Sequence, residues 1–271
     1  VQTAGTMYKA MKEAAKLNKP LTAHTEDNSL IFEGVMHEGI RNKELGLKGI
    51  LSATESSQIA RDVILAYETK VHYHVCHVSS KESVAAIKMG KAIGAKVTSE
   101  VSPHHLLLNE MDIPGNDGAY KMNPPLRSKE DQEALIKALI EGDIEIIATD
   151  HAPHTKEEKA NGFDGPFGII GLESAFPLLY THFVKEKGLF TLENLQTWMS
   201  IKPKTLFNLE GNFMKEGDAA DFAVYDLEKE VIMDEVFFHS KSQNTPFKNQ
   251  KVYGTCVLTI VDGNIVYQEA I

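Results

Sequence analysis

Over residues 1–209 the chain alternates between helical periodicity and short apolar runs, and that rhythm restricts what it can fold into. Small and apolar residues recur at helical spacing in 5–17, 55–69, 81–89 and 129–141. The runs that follow them, 21–24, 71–77, 96–101 and 144–149, have the length and composition of strands. Strands joined by helices pair in parallel, and a parallel sheet is covered on both faces. Three more helical stretches are expected at 171–185, 191–200 and 203–209. From 210 the texture changes. Segments 220–225, 230–233, 252–260 and 264–267 read as strands, punctuated by turns at Gly217-Asp218 and Asp262-Gly263. The expectation is an α/β domain over 1–209 followed by a small β subdomain over 210–271.

With 271 residues, 42% of them hydrophobic, the chain can bury a core, which excludes a disordered polymer. Its two cysteines, Cys76 and Cys256, lie far apart; they exclude a disulfide framework and suit a reducing cytoplasm. The sequence has no apolar run of about 18 residues, so no membrane span is expected. The 38 acidic residues outnumber the 28 basic ones, giving a net charge of −10. That balance argues against a nucleic-acid backbone or an anionic membrane as partner. A small anionic substrate, held by a local cluster, remains compatible with it.

The informative polar residues sit where strands end. One apolar run stops at His24, a second at His77, and a third at Asp150, which is followed closely by His151 and His154. In a parallel barrel such ends face one another at the mouth, where catalytic groups gather. Two imidazoles and a carboxylate there form a divalent-metal site, with zinc the natural candidate because it accepts nitrogen and oxygen ligands. Parity chooses among the histidines of 72–77. His72 and His74 share one face of the strand, while His77 shares the other with Tyr73 and Val75 and alone stands at the end. His77 is therefore the expected ligand, with His72 and His74 in packing or surface roles. Each residue also has a plainer role open to it. A strand-end histidine can be a hydrogen-bonded core residue, and Asp150 can cap a turn. His104 and His105, which follow Pro103, are read as structural.

The runs Ala23-His24-Thr25-Glu26-Asp27-Asn28, His74-Val75-Cys76-His77-Val78-Ser79, Lys121-Met122-Asn123-Pro124-Pro125-Leu126-Arg127, Ala148-Thr149-Asp150-His151-Ala152-Pro153-His154 and Pro166-Phe167-Gly168 belong together. As a set, with Gly217-Asp218-Ala219-Ala220-Asp221 in the tail, they closely resemble the bacterial dihydroorotases of the amidohydrolase superfamily. The resemblance implies a (β/α)8 TIM-type barrel with a metal centre at its mouth, usually zinc and with two ions in the complete enzyme. It makes His24 and His77 ligands of one metal, and Asp150 a ligand of the other and the general base. Asn123, His154 and the backbone at Phe167 and Gly168 would hold the substrate. The implied reaction is the reversible cyclisation of N-carbamoyl-L-aspartate to dihydroorotate, a step of pyrimidine synthesis. A metal-bound hydroxide would attack the ring amide carbonyl while Asp150 moves the proton. The polar stretch 155–165 reads as a mobile flap beside the site. A cytoplasmic homodimer is the expectation the family gives.

The family's His-x-His motif on the first barrel strand, its bridging carboxylated lysine or aspartate, and its early substrate-gripping Arg and Asn do not occur in this sequence. The chain opens on Val1 and runs straight into a helical pattern, and four strands are legible where a closed barrel needs eight. The expectation is the C-terminal part of a longer enzyme, carrying part of the site. Alternatives are another cyclic amidohydrolase (a hydantoinase, dihydropyrimidinase or allantoinase) and a non-catalytic dihydroorotase-like subunit. Such a subunit would have lost ligands, whereas His24, His77 and Asp150 are all present.

Overall fold

The computed structural model describes residues 1–209, 215–234 and 237–269. By contacts it forms two compact units, Val1–Ile170 with Asn244–Pro246, and Gly171–Gln243 with Phe247–Ile271.

The first unit is built from four helix–strand pairs: α1 (Ala4–Lys16) and β1 (Leu21–Ala23), α2 (Ala53–Thr69) and β2 (Tyr73–Val75), α3 (Lys81–Ala92) and β3 (Val97–Val101), α4 (Lys129–Glu141) and β4 (Ile146–Ile147). The strands form one parallel sheet in the order β1-β2-β3-β4, with Leu21 opposite Tyr73, Tyr73 opposite Val97 and Glu100 opposite Ile146. Local chemistry sets the helix bounds. Thr3, Ser80 and Ser128 accept hydrogen bonds from backbone amides at the starts of α1, α3 and α4, and Asp131 completes a reciprocal cap on α4. Gly142, at φ +81°, ends α4 in the left-handed conformation a glycine adopts without cost. Met7 and Met11 of α1, Ile59 and Val63 of α2, Ile87 of α3 and Leu135 and Leu139 of α4 are buried, as are Tyr73, Val75, Val97, Val101 and Ile146 of the strands.

The parallel sheet expected from the sequence is present, but its strands are shorter than the apolar runs that encode them, and β2 and β4 each stop two residues before the end of the run. The backbone leaves the sheet into left-handed conformations at His77 (φ +35°) and Asp150 (φ +49°), so pairing stops before each. A small parallel pair, Met36–His37 with Gly49–Ile50, was not legible as strand.

In the second unit β5 (Phe222–Asp226), β6 (Thr255–Val261) and β7 (Asn264–Gln268) form an antiparallel sheet in the order β7-β6-β5. Asp262 and Gly263, both at positive φ, make the β6–β7 turn where the sequence places it. The stretch expected as one helix at 171–185 is an α-helix, Ala175–Leu179, that continues as a π-helix over Tyr180–Glu186. The sequence-based boundary at 209/210 abuts residues 210–214, which lie outside the described ones. By contacts the helices of 171–209 cluster with the β tail: Phe176 lies against Tyr225, with ring centroids 4.2 Å apart, and the Tyr253 amide donates to Thr181 Oγ1. Among the described residues no helix is long and apolar enough to cross a membrane.

Candidate active site

Because β1 and β2 pair with Ala23 opposite Val75, the residues that follow them emerge side by side. His24 Nδ1 and His77 Nε2 stand 2.9 Å apart, with the two rings edge to face. Two ring nitrogens at that distance share a single proton, one donating and the other accepting. The Asp150 carboxylate acts favourably on the charge of both rings. Glu26 holds the His24 imidazole above its ordinary range, whereas burial holds His77 below it. Left-handed backbone at non-glycine residues such as His77 and Asp150 costs about 1–3 kcal/mol each and collects at functional sites.

The His24–His77 pair offers two converging nitrogen lone pairs once the shared proton is gone, the donor set that zinc and its neighbours prefer. His24 also places its outer nitrogen, Nε2, 3.6 Å from Glu26 Oε2, and carboxylates at that position commonly orient metal-bound imidazoles. Among the described residues no group of three His, Cys, Asp or Glu side chains is assembled tightly enough to hold an ion by itself. The residues therefore fit two ligands of a metal centre rather than a full set.

Asn123 reaches the same place through Glu26: its Nδ2 donates to Glu26 Oε1 at 2.7 Å. His154 Nε2 donates to the Phe167 carbonyl at 2.8 Å. Residue 151 pairs with 169 as an isolated parallel bridge, and the Ala152 amide donates to Ile169 O, which brings 167–168 alongside the segment carrying Asp150. Gly168 adopts φ +130°, and a Cβ there would stand 2.6 Å from that of Ala152, so only glycine fits.

A buried polar network supports this end of the sheet. Arg127 donates through Nε to Ser79 Oγ (3.0 Å) and through Nη1 to Ile50 O (2.9 Å) and His37 Nδ1 (3.3 Å). Glu55 accepts from the Ser79 amide and hydroxyl. The network thus links the segment after Asn123 to the segment after His77. Burial, and then the Arg127 charge, push the His37 imidazole down to about 4. An unfolded histidine takes up a proton near pH 6.5 while folded His37 does not, so the unfolded state gains stability as pH falls from about 6.5 to about 4. The thermal midpoint is expected to drop across that window, and to drop less in His37→Gln. An equal drop in both proteins would show that His37 is not responsible.

His74 is fully buried and bonds Thr98 Oγ1 and Glu100 Oε2, while His72 bonds Thr98 Oγ1. His105, also buried, donates from Nε2 to Pro124 O. The stretch 155–165, expected from sequence as a polar flap, has regular local structure. It forms a capped turn of helix, Lys156–Lys159, and a 3₁₀ turn, Gly162–Asp164, with Lys159 and Phe163 buried. The reason is that the Lys159 ammonium finds three backbone carbonyls inside. Sequence reasoning passed over Glu26, Lys121, Arg127 and Lys159, of which Lys121 and Lys159 are buried and donate to backbone carbonyls. Glu26, Lys121 and Arg127 lie inside quoted motifs, and a charged residue within a run of site residues was the available signal.

Residues 1–83 match the family model described as dihydro-orotase-like. The dihydroorotase of Ligilactobacillus salivarius is 58% identical over 270 residues, and that of Enterococcus faecalis 57% identical over 270. The chain is similar to dihydroorotases throughout. In both cases 99% of this chain is covered, and the chain spans 63% of the relative's length. Among solved structures, an L-hydantoinase (dihydropyrimidinase) from Arthrobacter aurescens superposes with TM-score 0.85 at 28% identity, over 98% of this chain and 61% of that one. A D-hydantoinase (dihydropyrimidinase) from Thermus sp. gives 0.83 at 26%, over 97% and 60%. The α/β architecture, part of a TIM-type barrel with a small β subdomain, is thus shared with cyclic-amide hydrolases, while the closer sequence likeness is to dihydroorotases.

Proposed function

We propose that this chain carries part of the active site of a zinc-dependent dihydroorotase, which interconverts N-carbamoyl-L-aspartate and dihydroorotate. The observation that carries the reading is the convergence of His24 Nδ1 and His77 Nε2 at 2.9 Å beside the Asp150 carboxylate. His24 and His77 would hold one metal ion, and Asp150 would contribute to a second. A bound zinc pair supplies Lewis-acid activation of water and polarisation of the ring carbonyl.

The remaining steps belong to the chain's own groups. Asp150 Oδ accepts the proton of the attacking water and returns it to the ring nitrogen as the amide bond breaks. Asn123, oriented by Glu26, offers an amide to the substrate's carbonyl or carboxylate oxygens. His154, tied to Phe167 O, and the backbone at Phe167 and Gly168 would help to hold the substrate. The two cysteines are unpaired, which suits a cytoplasmic enzyme.

The test is ring opening of dihydroorotate, hydantoin and allantoin by the complete protein loaded with zinc. Turnover of dihydroorotate well above the other two is expected. Preference for hydantoin or allantoin would transfer the site to another cyclic-amide hydrolase, and zinc-loaded protein that opens none of them would contradict catalysis.

A further inference from the structure

Two lysines that the proposed chemistry does not use are buried beside it. Lys159 Nζ donates to three backbone carbonyls: Lys121 O at 3.0 Å, Pro166 O at 3.0 Å and Gly168 O at 2.9 Å. Lys121 Nζ donates to Phe163 O at 2.8 Å and Gly165 O at 2.7 Å, and lies 4.2 Å from the centre of the Phe167 ring. Both residues are almost fully buried. An ammonium has three N–H donors, so the three carbonyls around Lys159 use its whole capacity.

The carbonyls so held are not arbitrary. Those of Pro166, Phe167 and Gly168 are consecutive, and all three accept from side chains: Lys159, then His154, then Lys159 again together with Asn244 Nδ2. The Gly168 amide donates back to Lys121 O. A peptide segment usually takes its order from a helix or a sheet ladder. This one takes it from side-chain donors, two lysines foremost among them, which fixes its backbone while leaving it outside any regular element.

We propose that Lys121 and Lys159 are positioning residues, a paired clamp that sets the backbone of Pro166–Gly168 at the angle and distance at which it meets the substrate. The proposal rests on the dihydroorotase reading of Phe167 and Gly168. Two cations this close repel, and the clamp accepts that repulsion. Burial, and then the Lys121 charge, bring the Lys159 ammonium down to about 8, against which Asp117 acts; burial also lowers Lys121, opposed by Asp164. Glu158, on the same turn as Lys159, accepts from the Thr155 amide and has its Oε2 3.6 Å from His154 Nδ1. A neutral Lys159 would have two donors for three carbonyls and would turn a lone pair toward one of them. The clamp therefore loosens as pH rises through about 8.

The experiment uses the complete zinc-loaded protein and its Lys159→Met, Lys159→Arg and Lys121→Met variants. It reads zinc content, hydrogen–deuterium exchange of the 163–170 amides, and KM and kcat for dihydroorotate at pH 7 and pH 9. In Lys159→Met, zinc content is expected to be unchanged, exchange to accelerate in 163–170, and KM to rise about tenfold with a smaller change in kcat, the size of one misplaced hydrogen bond. Wild-type KM should rise between pH 7 and pH 9, and Lys159→Arg, charged at both, should lack that rise. Lys121→Met is expected to change KM in the same direction and keeps the test open if Lys159→Met does not fold. Faster exchange with wild-type KM would reduce the lysines to structural anchors and overturn the proposal, as would unchanged exchange. A wild-type protein that leaves dihydroorotate unopened would overturn the underlying reading, while exchange in 163–170 would still decide whether the lysines hold the segment.

Discussion

Replacement of Asp150 by asparagine in the complete protein is expected to lower kcat for dihydroorotate by about a thousandfold, within the range found when a positioned acid–base group is removed. The substitution keeps the shape of the side chain, and asparagine tolerates the left-handed backbone that Asp150 adopts at φ +49°. The thermal midpoint should therefore hardly move. What disappears is the carboxylate, and with it both the proposed proton acceptor and the negative charge that acts on His24 and His77. Steady-state kinetics with a parallel melting curve separate the two effects. Near-normal turnover would remove Asp150 from the reaction, and a collapsed melting curve would mark it as a structural cap instead.

The second large effect is expected at His77. His77→Ala removes one of the two facing nitrogens and leaves His24 Nδ1 without its partner across the 2.9 Å gap. Loss of an outer residue that merely orients a metal ligand costs about 10–100-fold in affinity, so loss of the ligand itself should weaken zinc binding by at least about a hundredfold. His74→Gln is the informative comparison. His74 lies three residues earlier, within β2, but its ring is spent on Thr98 and Glu100. Metal analysis after dialysis against a weak chelator should show zinc retained in His74→Gln and lost in His77→Ala. Equal retention in the two would mean that His77 is not a ligand.

These two contrasts mirror what could be read from sequence. The helix–strand alternation was legible because its signals are local: Ser128 and Asp131 cap one end of α4, Gly142 closes the other, and apolar residues sit at helical spacing between them. His24 and His77 were legible because an apolar run stops at each, and parity separated His77 from His74. The early end of β2 and β4 was not legible, since a left-handed turn at a histidine or an aspartate leaves no compositional trace. Nor was the burial of Glu55, Arg127, Lys121 and Lys159. A charged residue enters a protein interior only when partners distant in sequence satisfy it, as Glu55 and Ser79 do for one another and as the carbonyls of 163–168 do for the lysines. For the same reason 155–165 read as solvated. Its lysines, glutamates and asparagine describe a surface loop until Lys159 is seen to turn inward.

The network around Arg127 gives these separate segments one frame. Asn123 lies in the loop before α4 and His77 just past β2, yet Arg127 and Ser79, each a few residues beyond them, are joined at 3.0 Å. The same buried contacts thus tie together the segments that carry the proposed metal-facing histidine and the proposed substrate-facing amide.

The proposed binding of zinc by His24 and His77 together would be seen in anomalous diffraction from zinc-loaded crystals of the complete protein. Zinc is expected about 2.0–2.1 Å from both His24 Nδ1 and His77 Nε2. Zinc bound elsewhere, with the two rings still in direct contact, would contradict it.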